Sequence, residues 1–123
     1  MILVDTSVWI DHLRRGVPRL AEALEGQEVL VHPFVIGELA CGEFDKRREV
    51  LNLLSALPAS AVETDDETLL FIERHRLMGK GIGYVDAHLL ASVMLTGSTT
   101  LWTRDKRLHA VAAGLRVEFA NGS

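Results

Sequence analysis

The sequence lacks what several classes of protein require. Its single cysteine, Cys41, excludes a disulfide within the chain, and we expect a cytoplasmic protein. No apolar stretch is long enough to span a bilayer, and we expect no signal peptide. Positive charge is not in excess either. The net charge of −4 argues against a broad basic surface for nucleic acid.

Two common kinds of ligand site are also missing from the pattern. The five histidines show no ligand spacing with one another, so nothing indicates a zinc site. The glycine-rich run at residues 79–83 lacks the Lys-Ser/Thr ending of a phosphate loop and does not follow a predicted strand. We therefore expect this run to be a flexible connection.

What is present describes one globular domain. A chain of 123 residues can bury one core and is too short for two, so we predict a single domain over residues 1–123. Short apolar runs alternate with segments of helical spacing, which predicts an α/β fold with a parallel sheet between two layers of helices. The predicted strands are residues 2–4, 29–31, 60–62, 99–103 and 115–119.

Four acidic residues stand where such a fold would place apolar residues or end an element. Asp5 and Asp105 come directly after predicted strands, and Asp86 lies in the first turn of the most apolar helix. Glu38 interrupts an apolar run. In open parallel sheets the site lies beyond the carboxyl ends of the strands, so these acids meet if the strands at residues 2–4 and 99–103 are neighbours.

Each acid also has a structural explanation to weigh. Asp5 and Asp105 are suited to cap helices, and Asp86 is a favourable first-turn charge. Glu38 is different, because capping does not explain it and burying a lone charge is costly. Hydroxyls beside these acids, at Thr6, Ser7 and Thr103, are placed either to support a site or to cap locally.

A cluster of acids repels itself unless a cation lies within it, which points to a hard divalent metal. Such a metal would support metal-assisted chemistry.

Four short segments, in this order, resemble the PIN-domain ribonucleases, and among them the VapC-type toxins of prokaryotic toxin–antitoxin pairs. They are residues 1–10 (MILVDTSVWI), 36–39 (IGEL), 83–91 (GYVDAHLLA) and 101–108 (LWTRDKRL). The resemblance covers nearly the whole chain. Leu108 departs from it, because many relatives carry an aromatic residue there.

The resemblance implies both a fold and an activity. It implies a five-stranded parallel sheet in the order 3-2-1-4-5, with strands numbered along the chain. It implies a metal-dependent endoribonuclease that uses Mg²⁺, or Mn²⁺ as a substitute, to hydrolyse RNA phosphodiester bonds with a metal-activated water. A VapB-type antitoxin and a homodimer are the implied partners. By the motif match, the metal-binding acids are Asp5, Glu38, Asp86 and Asp105, supported by Thr6 and Thr103.

The resemblance also implies a mechanism. One or two Mg²⁺ ions held by the four acids would bind the scissile phosphate, lower the pKa of a bound water and stabilise the leaving oxygen. The basic residues after the last acid are the candidates for phosphate contacts, namely Arg104, Lys106 and Arg107.

Two other functions remain as alternatives. A phosphoacceptor receiver domain has a similar length and sheet, and Thr103 is placed like its hydroxyl. Such a domain needs two acids after its first strand and a lysine after its fifth, whereas here only Asp5 follows the first and no lysine follows Lys106. A PIN fold retained only for binding a partner is the other alternative, and the intact set of acids argues against it.

Overall fold

A computed structural model describes residues 1–120 and forms an α/β fold around a parallel sheet. The elements in chain order are β1 (Ile2–Val4), α1 (Thr6–Arg15), α2 (Pro18–Glu25), β2 (Val29–Leu30), α3 (Pro33–Ala40), α4 (Arg47–Ser55), α5 (Asp65–His75), α6 (Tyr84–Thr96), β3 (Thr100–Trp102) and α7 (Lys106–Gly114).

Strand β1 lies at the centre of the sheet, in the order β2-β1-β3. Leu3 is opposite Leu30 on one side and Leu101 on the other. All three residues of β1 are buried. Since successive side chains of a strand point to opposite faces, both faces of β1 are covered. The predicted neighbour relation between residues 2–4 and 99–103 is therefore confirmed.

The predicted outer strands are not formed as strands in the described residues. Each is reduced to a single bridge, Val31 with Ala59 on one flank and Leu101 with Glu118 on the other. The backbone N–H of Ala61 donates to Thr96 Oγ1 at 2.9 Å, so the chain there is bonded to α6 rather than to a neighbouring strand. Only the central part of the predicted five-stranded order is therefore observed.

The positive φ of Arg116, 61°, interrupts the second of these segments. Helix α5 ends at His75, where Arg76 adopts a left-handed backbone with φ of 53°. Among residues 1–120, no helix has the length and apolar character that crossing a membrane requires.

Helix α6 has no polar face over most of its length. Seven of its residues, from Ala87 to Val93, are buried, and it packs against α5 and β3. A helix that is apolar all round belongs in the interior. Asp86 lies in the first turn of this helix, so the packing of α6 in the interior determines the position of Asp86.

Candidate metal centre

Asp5 and Asp105 follow the paired strands β1 and β3 and lie at the same edge of the sheet. The N–H of Asp5 donates to Trp102 O at 2.9 Å, which ties the end of β1 to the end of β3. Asp5 is 7% exposed, and Asp105 is exposed. The sheet pairing alone brings these two acids together, as the sequence predicts.

Asp86 lies near the other three acids. Its pKa is raised above the ordinary value, first by burial and then by repulsion from Asp5, Asp105 and Glu38, while the N–H of Gly83 acts in the opposite direction. That N–H donates to Asp86 Oδ2 at 3.0 Å. Because repulsion between charges weakens with distance, each of these three acids lies near enough to Asp86 to repel it.

Capping and clustering occur together rather than as alternatives. Asp5 caps α1, with Oδ1 accepting from the N–H of Thr6 at 2.8 Å. Asp105 caps α7, with Oδ1 accepting from the N–H of Leu108 at 2.9 Å. Asp86 lies in the first turn of α6. Three helix N-termini thus carry acids of the cluster, and their dipoles partly offset its repulsion.

Hydroxyl groups hold the most buried of the acids in place. Thr103 Oγ1 donates to Asp5 Oδ2 at 2.7 Å, and Ser7 Oγ donates to the same oxygen at 2.8 Å. Thr103 Oγ1 also accepts from the N–H of Asp105 at 3.0 Å. Thr103 is therefore the link between the two acids that follow β1 and β3. Ser7 joins Thr6 and Thr103 as a residue that orients the cluster.

The apolar neighbours of Glu38 in the sequence predict a buried charge, and this prediction is wrong. Glu38 is exposed, and the buried residues of α3 are Val35 and Leu39. Glu38 joins the cluster by a different route, because Thr6 Oγ1 donates to Glu38 Oε1 at 2.6 Å. Thr6 follows Asp5 directly, so this contact links α3 to the end of β1.

The three predicted RNA-contacting residues are exposed, but they are not equivalent. Arg104 pairs with Asp11, with Nε 3.3 Å from Oδ2, and its guanidinium lies 5.9 Å from the ring centre of Trp102. Arg107 lies against Gly81, where an added Cβ would be 2.6 Å from Arg107 Cδ. Gly81 also has a φ of +80°, so this position favours glycine.

The fold brings together two histidines whose spacing in the sequence does not indicate a ligand site. Among the described residues, His32, Glu63 and His88 are buried and have ligand atoms that all lie within 4.8 Å of one another. Asp5, Glu38, Asp86 and Asp105 do not form so tight a group. The available sequence signal for the histidine group was His88 itself, a polar residue inside the apolar run of α6.

The chemistry of the four acids fits a hard divalent cation. Carboxylate oxygens are the donors that Mg²⁺ prefers, and the cluster contains no nitrogen or sulfur donor. After burial, repulsion from the other three acids contributes to the raised pKa of Asp86, and a bound cation would relieve that repulsion.

Comparison with known proteins identifies the family. The PIN domain family model matches residues 2–114. The chain belongs to the PIN domain family. Ribonuclease VapC32 of Mycobacterium tuberculosis, in two strains, is 53% identical to this PIN domain over 120 residues, which cover 98% of this chain and 97% of the relative. The resemblance to VapC-type PIN-domain ribonucleases is thereby confirmed.

Two solved structures share the fold of this PIN domain. FitAcB from Neisseria gonorrhoeae has a TM-score of 0.60 and 22% identity, covering 92% of this chain and 94% of that one. PAE2754 from Pyrobaculum aerophilum has a TM-score of 0.60 and 20% identity, covering 89% of this chain and 78% of that one. At these identities the likeness shows the fold alone.

Proposed function

We propose that this PIN domain, over residues 1–123, is a Mg²⁺-dependent endoribonuclease that hydrolyses RNA phosphodiester bonds. The observation that carries the proposal is the grouping of Asp5, Glu38 and Asp105 by their hydrogen bonds to Thr6 and Thr103, with Asp86 near enough to be repelled by all three. A group of negative charges of this kind favours a bound cation. The 53% identity to a protein named as a ribonuclease supports RNA as the substrate.

The four acids would hold Mg²⁺, with Mn²⁺ as a substitute. When bound, the cation would supply Lewis acidity, which lowers the pKa of the attacking water and neutralises charge on the phosphate. Asp5 is best suited to a fixed ligand, since Ser7 and Thr103 hold its side chain from two directions. Because the acids come from four different elements, an unfolded chain has no such site, and metal affinity is linked to folding.

The substrate phosphate would lie at an edge to which helix N-termini contribute. The first turns of α1, α6 and α7 carry Asp5, Asp86 and Asp105, and helix N-termini favour anions. Beside Asp105 lies a cavity of about 360 Å³ whose lining includes Trp102, Arg104 and Lys106. We place RNA contacts at Arg104, Lys106 and Arg107, with Arg104 oriented by its ion pair to Asp11.

The proposal includes the partners expected of a VapC-type toxin. A VapB-type antitoxin would inhibit the chain, and a cytoplasmic location would give it access to RNA. A homodimer is also proposed. Helices α5 and α6, which pack together, carry exposed apolar side chains suited to a second copy: Leu69, Leu70, Met94 and Leu95.

A cleavage assay with a chelator tests this function. Purified protein incubated with total RNA and Mg²⁺ is expected to produce cuts at defined positions, mapped by sequencing of the new ends. EDTA should abolish the cuts, and excess Mn²⁺ should restore them. Cleavage that persists in EDTA would contradict metal dependence. RNA that stays intact with both metals would instead favour a PIN fold used only for binding.

A further inference from the structure

A buried polar group joins the two helices that deliver Glu38 and Asp86. The side chain of Glu63, in the segment before α5, is fully buried. Its Oε1 lies 3.3 Å from His32 Nε2 and also contacts His88 Nδ1. His32 is the residue that caps α3, and His88 lies in α6. One carboxylate oxygen therefore connects the start of α3 with the first turns of α6.

The hydrogen bonds of His32 fix which of its nitrogens carries the proton. The N–H of Phe34 donates to His32 Nδ1 at 3.0 Å, so Nδ1 must offer a lone pair. Burial lowers the pKa of His32, which favours the neutral ring. The single ring proton is then on Nε2, where it donates to Glu63.

The same tautomer excludes His32 as a metal ligand in this arrangement. A histidine that ligates through Nε2 carries its proton on Nδ1 and donates it to an acceptor. Here Nδ1 faces the N–H of Phe34, which is itself a donor. Although His32, Glu63 and His88 have the spacing of a metal site, the geometry favours a hydrogen-bonded group that connects α3 with α6. We call these three residues the joint.

His88 completes the joint on the side of α6. Its Nδ1 lies 3.2 Å from Thr68 Oγ1, whose own proton goes to Thr64 O. Its Nε2 lies 3.1 Å from Asp65 Oδ1, which also accepts from Tyr84 at 2.7 Å. Both nitrogens of His88 thus face acceptors in or beside α5. The start of α6 is held from two sides.

The position of the joint relates it to the acids. Asp86 and His88 are two residues apart in α6, and at about 100° per residue their side chains point to nearly opposite sides of the helix. Asp86 faces the acid cluster while His88 faces Glu63. On α3, His32 caps the helix that carries Glu38. A shift of either helix at the joint would therefore change the separation of Glu38 and Asp86.

We infer that Glu63 is a positioning residue that sets the separation of Glu38 and Asp86 by bonding both histidines. This inference rests on the proposed function, because it concerns how well the acids bind a divalent cation. Glu63 touches none of the acids, so its effect passes through the two helices. Residues that orient metal ligands from outside the site commonly affect metal affinity by about 10- to 100-fold.

Mn²⁺ affinity, measured by calorimetry on purified folded protein, tests the inference. Glu63→Ala removes the acceptor and is expected to weaken Mn²⁺ binding by about tenfold or more. Glu63→Gln keeps an acceptor oxygen at the same place and is expected to stay within about threefold of the unmodified chain, a rescue that distinguishes positioning from charge. Leu20→Ala, at a buried position of α2 outside the joint, destabilises the fold and should leave Mn²⁺ affinity unchanged.

The outcomes separate this inference from the proposed function. If the unmodified chain binds no Mn²⁺, the proposed metal site itself fails. If it binds Mn²⁺ and folded Glu63→Ala binds equally well, only the positioning role is overturned. If Glu63→Ala does not fold, Glu63→Gln and His32→Gln supply the comparison, and His32→Gln is expected to weaken binding while Glu63→Gln is not. Tight Zn²⁺ binding that His32→Gln abolishes would overturn the tautomer argument and replace the joint with a metal site.

Discussion

Replacing Asp5 with Asn is expected to abolish RNA cleavage while leaving the chain folded. Asp5 is the most enclosed of the four acids and accepts from Thr6, Ser7 and Thr103. Asn has the same shape and retains one oxygen to cap α1, so the fold should lose on the order of 1 kcal/mol or less. Removing the charge takes away a fixed metal ligand. We expect the cleavage rate to fall by about a thousandfold, as when one preorganised electrostatic group is removed from an active site.

The control for this variant is the same chemical change at an acid outside the cluster. Asp45 is exposed in the loop between α3 and α4, and Asp45→Asn should cleave RNA at the unmodified rate. Circular dichroism and melting curves of both variants establish that they are folded. Full activity in folded Asp5→Asn would overturn the assignment of the acids.

Divalent metal is expected to raise the melting temperature substantially. A ligand that binds only the folded chain stabilises it by about 2.7 kcal/mol at a concentration 100 times its Kd. For a chain of this size about 4 °C accompanies each kcal/mol, so Mn²⁺ should raise the melting temperature on the order of 10 °C. Thermal melts across a Mn²⁺ titration measure this shift. An unchanged curve at millimolar Mn²⁺ would count against a preformed site.

Asp86→Asn is expected to keep or raise the stability of the metal-free chain and to lose most of the stabilisation by Mn²⁺. Its raised pKa means that the folded, metal-free chain resists ionisation of Asp86. A group whose pKa is raised on folding contributes stability below its ordinary pKa of 3.8, and this contribution is lost as pH rises through the higher value. Above that higher value the contribution is lost, so Asp86→Asn should there be as stable as the metal-free parent or more stable. Its Mn²⁺ shift should largely disappear.

Melting temperatures of metal-free Asp86→Asn and of the metal-free parent near pH 4 test whether ionisation of Asp86 causes their difference in stability. Protonation of Asp86 in the parent should bring the two metal-free melting temperatures closer together than at neutral pH. A gap that does not change with pH would mean that repulsion within the cluster is not its cause.

The sequence predicts those parts of the site that depend on local order and strand pairing. Asp5 and Asp105 each follow a buried strand, and the parallel pairing of β1 with β3 brings them together. The capping roles of both residues could be read from their positions before helices. The sequence does not show that the same acids can cap helices and also form a cluster, because this depends on three helices starting at one edge of the sheet.

The neighbours of Glu38 in the sequence do not predict its exposure or its position. It lies among apolar residues, but the helical repeat buries Val35 and Leu39 and leaves Glu38 exposed. Its place beside Asp5 depends on a contact with Thr6 across 32 residues of chain. No local pattern contains that information.

The predicted outer strands are not formed in the described residues for a different reason. The residues around Ala61 have reasonable strand character, but Thr96 and Ser92 of α6 bond to their backbone. These bonds compete with strand pairing. The buried group of His32, Glu63 and His88 was missed because its members lie 25 and 31 residues apart in sequence and share no spacing that marks them.

An anomalous difference map of a crystal soaked in Mn²⁺ tests the central claim most directly. We predict a peak among Asp5, Glu38, Asp86 and Asp105, with carboxylate oxygens about 2.1 Å away, near the distance usual for hard cations of this size. The same soak of Asp5→Asn should show a weaker peak or none. A peak at His32, Glu63 and His88 instead, or no peak at either place, would contradict the account.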